Sequence, residues 1–326
     1  MHISYSHCIT LCFTTVTAVS HSRTSSASAL TLSGCDNVQR SGAVGVKFYL
    51  TESNLRALKL DRNLGTSNSD SYLRVAAGNR FFEQGTSNEL RPYDAPPNQA
   101  VQTTGYTPDS TRPQVLQNGF VEFDLDSGQF AIAFDEPMDI RSINVPNTLL
   151  FQHHSDVSLA VDMFEVQSLS CPGCVDSENV TFTLPREELN RLKLAPRVCT
   201  SAASCWLTVL SPGNFMRDMA GNQVVELPNG LRTPARYLGS FVDDTTGPRL
   251  ELFTLNMTSR ELILTFDEPI DSTSFDVTGI TVQGSRGVSD ESLYYQLASS
   301  TLLSGDGVEM RILLSDTDVN ALQSCP

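Results

Sequence analysis

The sequence predicts an all-β fold of antiparallel β-sandwiches in tandem, each carrying one short helix. Three observations predict it. Short strand-like stretches recur along the chain, separated by Gly, Pro, Asn and Asp. Helical periodicity is confined to stretches of one or two turns, too short for the crossover helices that a parallel α/β sheet requires. Two motifs also return at a spacing of about 130 to 135 residues, so one unit is written more than once.

The first motif is a strand followed by a helical turn. Val-Lys-Phe-Tyr-Leu at 46–50 precedes 51–60, Val-Thr-Phe-Thr-Leu at 180–184 precedes 185–194, and Met-Arg-Ile-Leu-Leu at 310–314 precedes 315–323. Each helical part opens on polar residues and then sets apolar ones three apart: Leu55 and Leu58, Leu189 and Leu192, Val319 and Leu322. Ser315 reads as an N-cap with Asp318 at N3, and Pro185 suits a first helical turn. The second motif is a strand that runs into an acidic Pro turn. Residues 129–139, Gln-Phe-Ala-Ile-Ala-Phe-Asp-Glu-Pro-Met-Asp, match 261–271, Glu-Leu-Ile-Leu-Thr-Phe-Asp-Glu-Pro-Ile-Asp. Phe130, Ile132 and Phe134 share one strand face, as do Leu262, Leu264 and Phe266. Pro137 and Pro269 are expected to end these strands, since proline donates no ladder hydrogen bond.

Asp109-Ser-Thr-Arg-Pro113 is echoed by Asp244-Thr-Thr-Gly-Pro248, and these stretches mark the unit boundaries. One complete unit is expected over 109–243, the back part of another over 29–108, and the front part of a third over 244–326. Both ends of the chain then fall inside a unit, which reads as a fragment of a longer protein. Residues 1–28 read as an unstructured or weakly signal-like N-terminus: 9–19 is apolar but broken by Thr and Cys, without preceding Lys or Arg, and too short to span a bilayer. Within 109–243, strands are expected near 121–126, 129–134, 148–152, 158–170, 179–184, 205–210, 222–226 and 237–241, with the helix near 185–193.

These motifs carry a resemblance. An opening Asp-Thr-Thr-x-Pro (Asp244 to Pro248), a strand ending in Phe-x-Glu-Pro-apolar-Asp (Phe134 to Asp139, Phe266 to Asp271) and a closing Asp218-Met-Ala-Gly-Asn222 turn follow one another in order. The closing turn is clear once; the first unit has Gln84-Gly-Thr-Ser-Asn88 in its place. Over 29–326 the chain resembles the bacterial-type immunoglobulin-like repeats of S-layer and other large surface proteins. The resemblance implies tandem antiparallel immunoglobulin-like β-sandwiches acting as spacer, stalk or adhesive module, without catalysis.

Hydrophobic residues make up 40% of the 326, enough for packed cores and against global disorder. A net charge of -15 repels phosphate, which argues against nucleic acid as a partner.

The paired acids Asp135-Glu136 and Asp267-Glu268, with Asp109, Asp243 and Asp244 at the boundaries, offer oxygens to calcium, which takes six to eight from several segments. The competing and favoured expectation is that each Glu caps backbone at a strand end while each Asp is solvated. Cys171-Pro-Gly-Cys174 is a CxxC, but a turn and strand follow it rather than the helix of a redox site. Cys199 and Cys205 flank a polar loop, and the first unit has Gly65 and Ser71 at the matching positions. Pairing 171–174 with 199–205 is favoured, cross-pairing comes second and a four-cysteine zinc site third; each role is structural. Asn179 and Asn256 open sequons for glycosylation. His153 and His154, adjacent on a strand, face opposite ways and are expected in an exposed loop, and Trp206, aligned with Tyr72, in a core.

The expected function is a non-catalytic structural or adhesive segment of an extracellular or cell-surface protein. Its expected partners are other repeats of the same chain and other surface proteins or glycans, and it needs no cofactor. The alternative is a calcium- or ligand-binding module that uses the boundary acids.

Overall fold

The computed structural model describes residues 16–19, 29–32, 37–41, 45–75, 88, 100–145, 148–154, 162–210, 215–227, 236–287 and 294–324. They form a mostly β structure with several antiparallel sheets and, among the described residues, three α-helices. The drifted turn at 84–87 and Cys8, Cys12, Cys35 and Cys325 lie outside the described residues.

The N-terminal region holds β1 (Val16–Val19), β2 (Ala29–Leu32), β3 (Asn37–Ser41), β4 (Gly45–Tyr49), α1 (Glu52–Leu60), β5 (Tyr72–Val75) and β6 (Val101–Gln102). The sheet order is β2-β1-β5-β6, all antiparallel, with β3 and β4 as a separate hairpin. The reading of 1–28 as unstructured is corrected at β1. Val16-Thr17-Ala18-Val19, β-branched at all but Ala18, pairs with both β2 and β5 and so belongs to the sheet.

The middle region holds β7 (Val115–Asp124), β8 (Gln129–Asp139), β9 (Leu149–Gln152), β10 (Met163–Glu165), β11 (Ser177–Thr183), α2 (Arg186–Lys193), β12 (Trp206–Val209), β13 (Arg217–Asp218) and β14 (Arg236–Val242). Their order is β10-β9-β12-β14-β7-β8-β11, with β13 added to β8. Every pairing is antiparallel except that of β14 with β7, which is parallel. These two strands are joined through the whole intervening region rather than by a hairpin, so nothing forces them antiparallel. Where a strand was expected at 222–226, only an isolated bridge forms, Gln223 to Arg217. Within the 158–170 expectation the strand is Met163–Glu165, and 158–161 lies outside the described residues.

The C-terminal region holds β15 (Leu250–Asn256), β16 (Glu261–Ile270), β17 (Thr281–Gln283), β18 (Tyr294–Gln296), β19 (Thr301–Leu302), β20 (Gly307–Leu313) and α3 (Asp316–Ser324). β15-β16-β20-β19 form one sheet, and β17 pairs with β18.

The two prolines do not end their strands. β8 runs through Pro137 and β16 through Pro269. In both, the ladder skips the residues around proline: pairing jumps from Ala133 to Met138 opposite Asn179 and Ser177, and from Thr265 to Ile270 opposite Glu309 and Gly307. Proline sits in the bulge, where its missing N–H costs no ladder bond. Gly119 marks another irregularity, in β7. A Cβ there would lie 2.5 Å from the Ala133 carbonyl oxygen and 2.8 Å from Leu116 backbone, so only glycine fits.

The apolar faces collect into separate clusters. The middle core is centred on Phe151 of β9, whose ring lies 5.7 Å from Phe120, 5.6 Å from Phe123 and 5.5 Å from Phe130. The C-terminal cluster gathers Leu262, Leu264, Met310, Ile312 and Val319, and a small N-terminal cluster surrounds Leu32. Phe134 is buried in the middle core, whereas Phe266 is only partly buried against its own. Trp206, expected in a core, is half-buried at the start of β12 with its Nε1–H donated to Ala203 O at 3.0 Å; the next three residues, Leu207, Thr208 and Val209, are the buried ones.

Each helix buries one polar residue, and α2 also buries its apolar pair, Leu189 and Leu192, whereas Leu55 of α1 is exposed. Asn54, Glu188 and Asp318 occupy the same N3 position of α1, α2 and α3, and all three are buried. The Ser315 hydroxyl accepts from Asp318 N–H, as an N-cap does. The Asp318 carboxylate does not close a capping box. It accepts from Ala298 N–H and Ser299 N–H, the Ser300 hydroxyl and the Tyr295 hydroxyl, pinning the preceding loop to the helix. Glu188 likewise accepts from Gln167 N–H at 2.6 Å. Pro185 is the N-cap of α2 rather than a residue of its first turn.

Candidate functional site

The most concentrated charge chemistry lies where one region meets the next. Lys59, near the end of α1, places Nζ 2.8 Å from Asp109 and 2.5 Å from Glu136. Lys193, the last residue of α2, places Nζ 2.7 Å from Asp244 and 3.1 Å from Glu268. Both lysines sit in the last turn of their helix, where a cation is favoured, and reach acids of the next segment. The partners match in kind, a boundary Asp and the Glu of the Asp-Glu-Pro turn.

The neighbouring acids have different work. Asp135 accepts from Gln114 N–H at 2.7 Å, and Asp267 accepts from Arg249 N–H at 2.6 Å. Each therefore holds the chain just after its boundary proline against the adjacent strand. The expectation that Asp is solvated and Glu caps backbone is thus reversed: Asp binds backbone, and Glu takes the lysine. Of the seven acids considered for calcium, Asp109, Asp135 and Glu136 lie at the first junction, Asp244, Asp267 and Glu268 lie at the second, and Asp243 is exposed.

At the first junction a further acid joins. Carboxylate oxygens of Asp109, Glu136 and Asp218 lie within 4.8 Å of one another, the only grouping of three or more metal-ligating side chains among the described residues. Asp218 belongs to the Asp-Met-Ala-Gly-Asn turn. It accepts from Ala220 N–H, Asn222 N–H and the Asn222 side-chain amide. That amide also donates to Asp109 O, so the closing turn is tied to the boundary. Gly221 takes φ +93°, which glycine adopts without strain.

Burial opposes the charge on Lys59, but Asp109 and Glu136 outweigh it and hold its pKa above the ordinary value. Lys193 is raised in the same way, burial opposing and Asp244 and Glu268 prevailing. Burial also works against the Asp109 carboxylate, but the Lys59 ammonium and Thr111 hold its pKa below the usual range. Burial pushes Glu136 up; Lys59 pulls against that, while Asp218 and Asp109 add to it. Lys59 and Glu136 both move up because one ammonium serves two acids, and Glu136, the more buried of the pair and also facing Asp218, is left short of positive charge.

The remaining sequence candidates lie apart from the junctions. Cys171 is joined to Cys174, and Cys199 to Cys205. Asn179 and Asn256 are both exposed, the first on β11 and the second at the end of β15. The Asn256 side-chain oxygen accepts from Thr258 N–H and Ser259 N–H and shapes the turn to β16. His153 and His154 form a half-buried bend after β9 with ring centroids 6.4 Å apart. A cleft of about 250 Å³ beside the Cys171–Cys174 loop is lined by residues such as Gln129, Pro172, Asn179 and Thr181, and no acid, base or free thiol faces it. No helix among the described residues is long and apolar enough to cross a membrane.

Sequence reading passed over Lys59, Lys193 and Asp218. The signal for the lysines was present: they stand 134 residues apart, at the same place in the same motif. Asp218 was read only as part of a turn.

Comparison with known protein families, with curated proteins and with solved structures finds no match.

Proposed function

We propose that this chain is a non-catalytic array of immunoglobulin-like β-sandwich units in an extracellular or cell-surface protein. It acts as a spacer and adhesive surface, and the lysines at the ends of α1 and α2 each fix the next unit. The observation that carries the reading is the recurrence of the ion-pair set: Lys59 with Asp109 and Glu136, then Lys193 with Asp244 and Glu268. A device repeated at successive boundaries serves geometry between units rather than chemistry at one place.

The sheets support it. The order β2-β1-β5-β6 is matched by β10-β9-β12-β14, and β7-β8-β11 by β15-β16-β20. Thr17 faces Thr31 and Arg74, as Leu150 faces Glu165 and Thr208. The two disulfides suit an oxidising compartment. The test is a recombinant 109–243 segment. It is expected to fold alone as a monomer with a β-rich circular dichroism spectrum; a helical spectrum, or failure to fold, overturns the reading.

A second reading, calcium binding, is favoured by the convergence of Asp109, Glu136 and Asp218 within 4.8 Å. It requires Lys59 to withdraw from the carboxylates it now neutralises. Calorimetry of the full chain with calcium decides: heat that Asp218→Asn abolishes supports it, and the absence of heat and of any rise in melting temperature retires it.

A further inference from the structure

β15 carries an apolar face that is left open, whereas the corresponding face of β7 in the middle region is covered. Equivalence is set by the neighbouring strand. Phe120 faces Ile132 and Phe253 faces Leu264; Phe123 faces Phe130 and Leu255 faces Leu262. Phe120 and Phe123 are 0% exposed, whereas Phe253 is 57% and Leu255 36% exposed. Leu250, opposite Phe266 as Val115 is opposite Phe134, is 45% exposed against 2%.

What covers the middle copy is specific. β14 lies parallel along β7, with Leu238 beside Phe120, Ser240 beside Glu122 and Phe241 beside Phe123. The Phe241 ring stands edge-on to Phe123 at 6.2 Å. Among the described residues β15 pairs only with β16, so its outer edge offers unpaired backbone groups beside an apolar row.

We propose that the free edge of β15 accepts a single extended strand of β14's chemistry, an uncharged apolar-Gly-Ser-aromatic segment laid parallel. Its leucine would sit beside Phe253, its glycine would bulge out of register because β15 lacks the extra residue that β7 has there, and its serine and aromatic ring would follow beside Thr254 and over Leu255. Backbone hydrogen bonds give the strand its place, and the two apolar side chains select its sequence. This rests on the reading of 115–124 and 250–256 as copies of one strand.

The probe is a synthetic peptide of residues 235–243, added to the full chain and followed by fluorescence anisotropy and hydrogen exchange. Saturable binding is expected, with slowed exchange within 253–256. A scrambled peptide should not bind. Phe253→Asp, at an exposed position that tolerates the change, should weaken binding by about tenfold or more. A photo-crosslinking side chain in place of the peptide's Phe241 should attach to β15. Absence of binding overturns the proposal. So does binding unaffected by Phe253→Asp with attachment to β7, which would mean that the peptide displaces β14. Self-association of the chain through this face without peptide, abolished by Phe253→Asp, also overturns it in favour of a second copy. If the peptide fails while 109–243 folds as a β-rich monomer, only this inference falls.

Discussion

The middle and C-terminal regions share a ladder and differ in its cover. β8 and β11 pair Phe130 with Phe182 and Ile132 with Val180; β16 and β20 pair Leu262 with Ile312 and Leu264 with Met310. Even the break around the proline falls at the same place. Yet in the middle every large apolar residue of this face is buried, and in the C-terminal region β15 is exposed along its whole length. Strand register and turn chemistry are therefore local properties, carried by alternation, a bulged proline and an Asx turn. Closure of a core is not local: it needs the Phe151 ring and the strands β12 and β14, which arrive long after β7.

The largest way to break the comparison is Phe151→Ala. That ring touches Phe120, Phe123, Phe130 and Phe164. Its loss should destabilise the middle region by about 3–5 kcal/mol. Among the described residues the C-terminal region contains no contact of this kind, and it should be untouched. Hydrogen exchange on the full chain checks both halves: protection should fall within 115–242 and persist within 261–313. Equal loss in both would mean one shared core and would undo the division into units.

Next in size is Asp318→Ala. The C-terminal region has little apolar cover, and its helix is held by four hydrogen bonds to one buried carboxylate. Burial works against that charge, yet Ser300, the backbone of Ser299 and Ala298, and Tyr295 hold its pKa well below the usual carboxylate range. Removing it strands several buried donors, at a cost of about 2–3 kcal/mol. A carboxyl with a lowered folded pKa contributes stability above its unfolded value of about 3.8, lost as pH falls through the folded value. Acid unfolding of the wild type should therefore reach α3 only at strongly acid pH. A C-terminal midpoint indifferent to Asp318→Ala would refute the assignment.

These residues also show what the sequence revealed and what it hid. The strand-then-helix motif was legible because alternation and apolar spacing are written within a dozen residues. β1 was not, since four residues without a flanking motif cannot be told from an N-terminal tail until β2 and β5 take them up. Pro137 misled because proline forbids a ladder bond but not a bulge. The Asp-Glu pair was legible as a feature, with its roles reversed: adjacent residues point opposite ways, and only the distant partners decide which meets lysine. Lys193 needs Asp244 and Glu268, which are 51 and 75 residues away, so no local pattern could declare the contact.

A smaller effect separates the two junctions. Lys59→Met leaves Asp109 and Glu136 facing each other in a partly buried site. It should loosen the first junction by about 2 kcal/mol, between the values for exposed and buried pairs. Lys193→Met should do the same at the second. Because both lysines have raised pKa values, their contribution is fully present below about pH 10.5 and is lost as pH rises through the folded value. Glu136 shifts stability with pH in the same direction, although here it is the charged form that is unfavourable. Its folded pKa is raised, so ionisation as pH climbs past about 4.5 and through the folded value weakens the junction. Glu136→Gln should therefore cost far less than Lys59→Met. Limited proteolysis of the 100–113 segment across pH measures all of this. A Glu136→Gln variant cleaved as fast as Lys59→Met would mean that the carboxylate, not the ammonium, organises the site.

The smallest expected change is the sharpest test of the comparison. Phe120→Ser and Phe253→Ser make the same substitution at matching places on β7 and β15. The first removes a fully buried ring and should cost about 3 kcal/mol or more. The second alters a side chain that is 57% exposed and should shift the unfolding midpoint by about 0.5 kcal/mol or less. The two values should converge once a strand is laid on β15, because the difference lies in the cover and not in the residue. Repeating the Phe253→Ser measurement with saturating 235–243 peptide makes that visible: the gap between wild type and variant should widen as peptide is added. A gap that stays constant would show that β15 owes its exposure to its own geometry rather than to a missing neighbour.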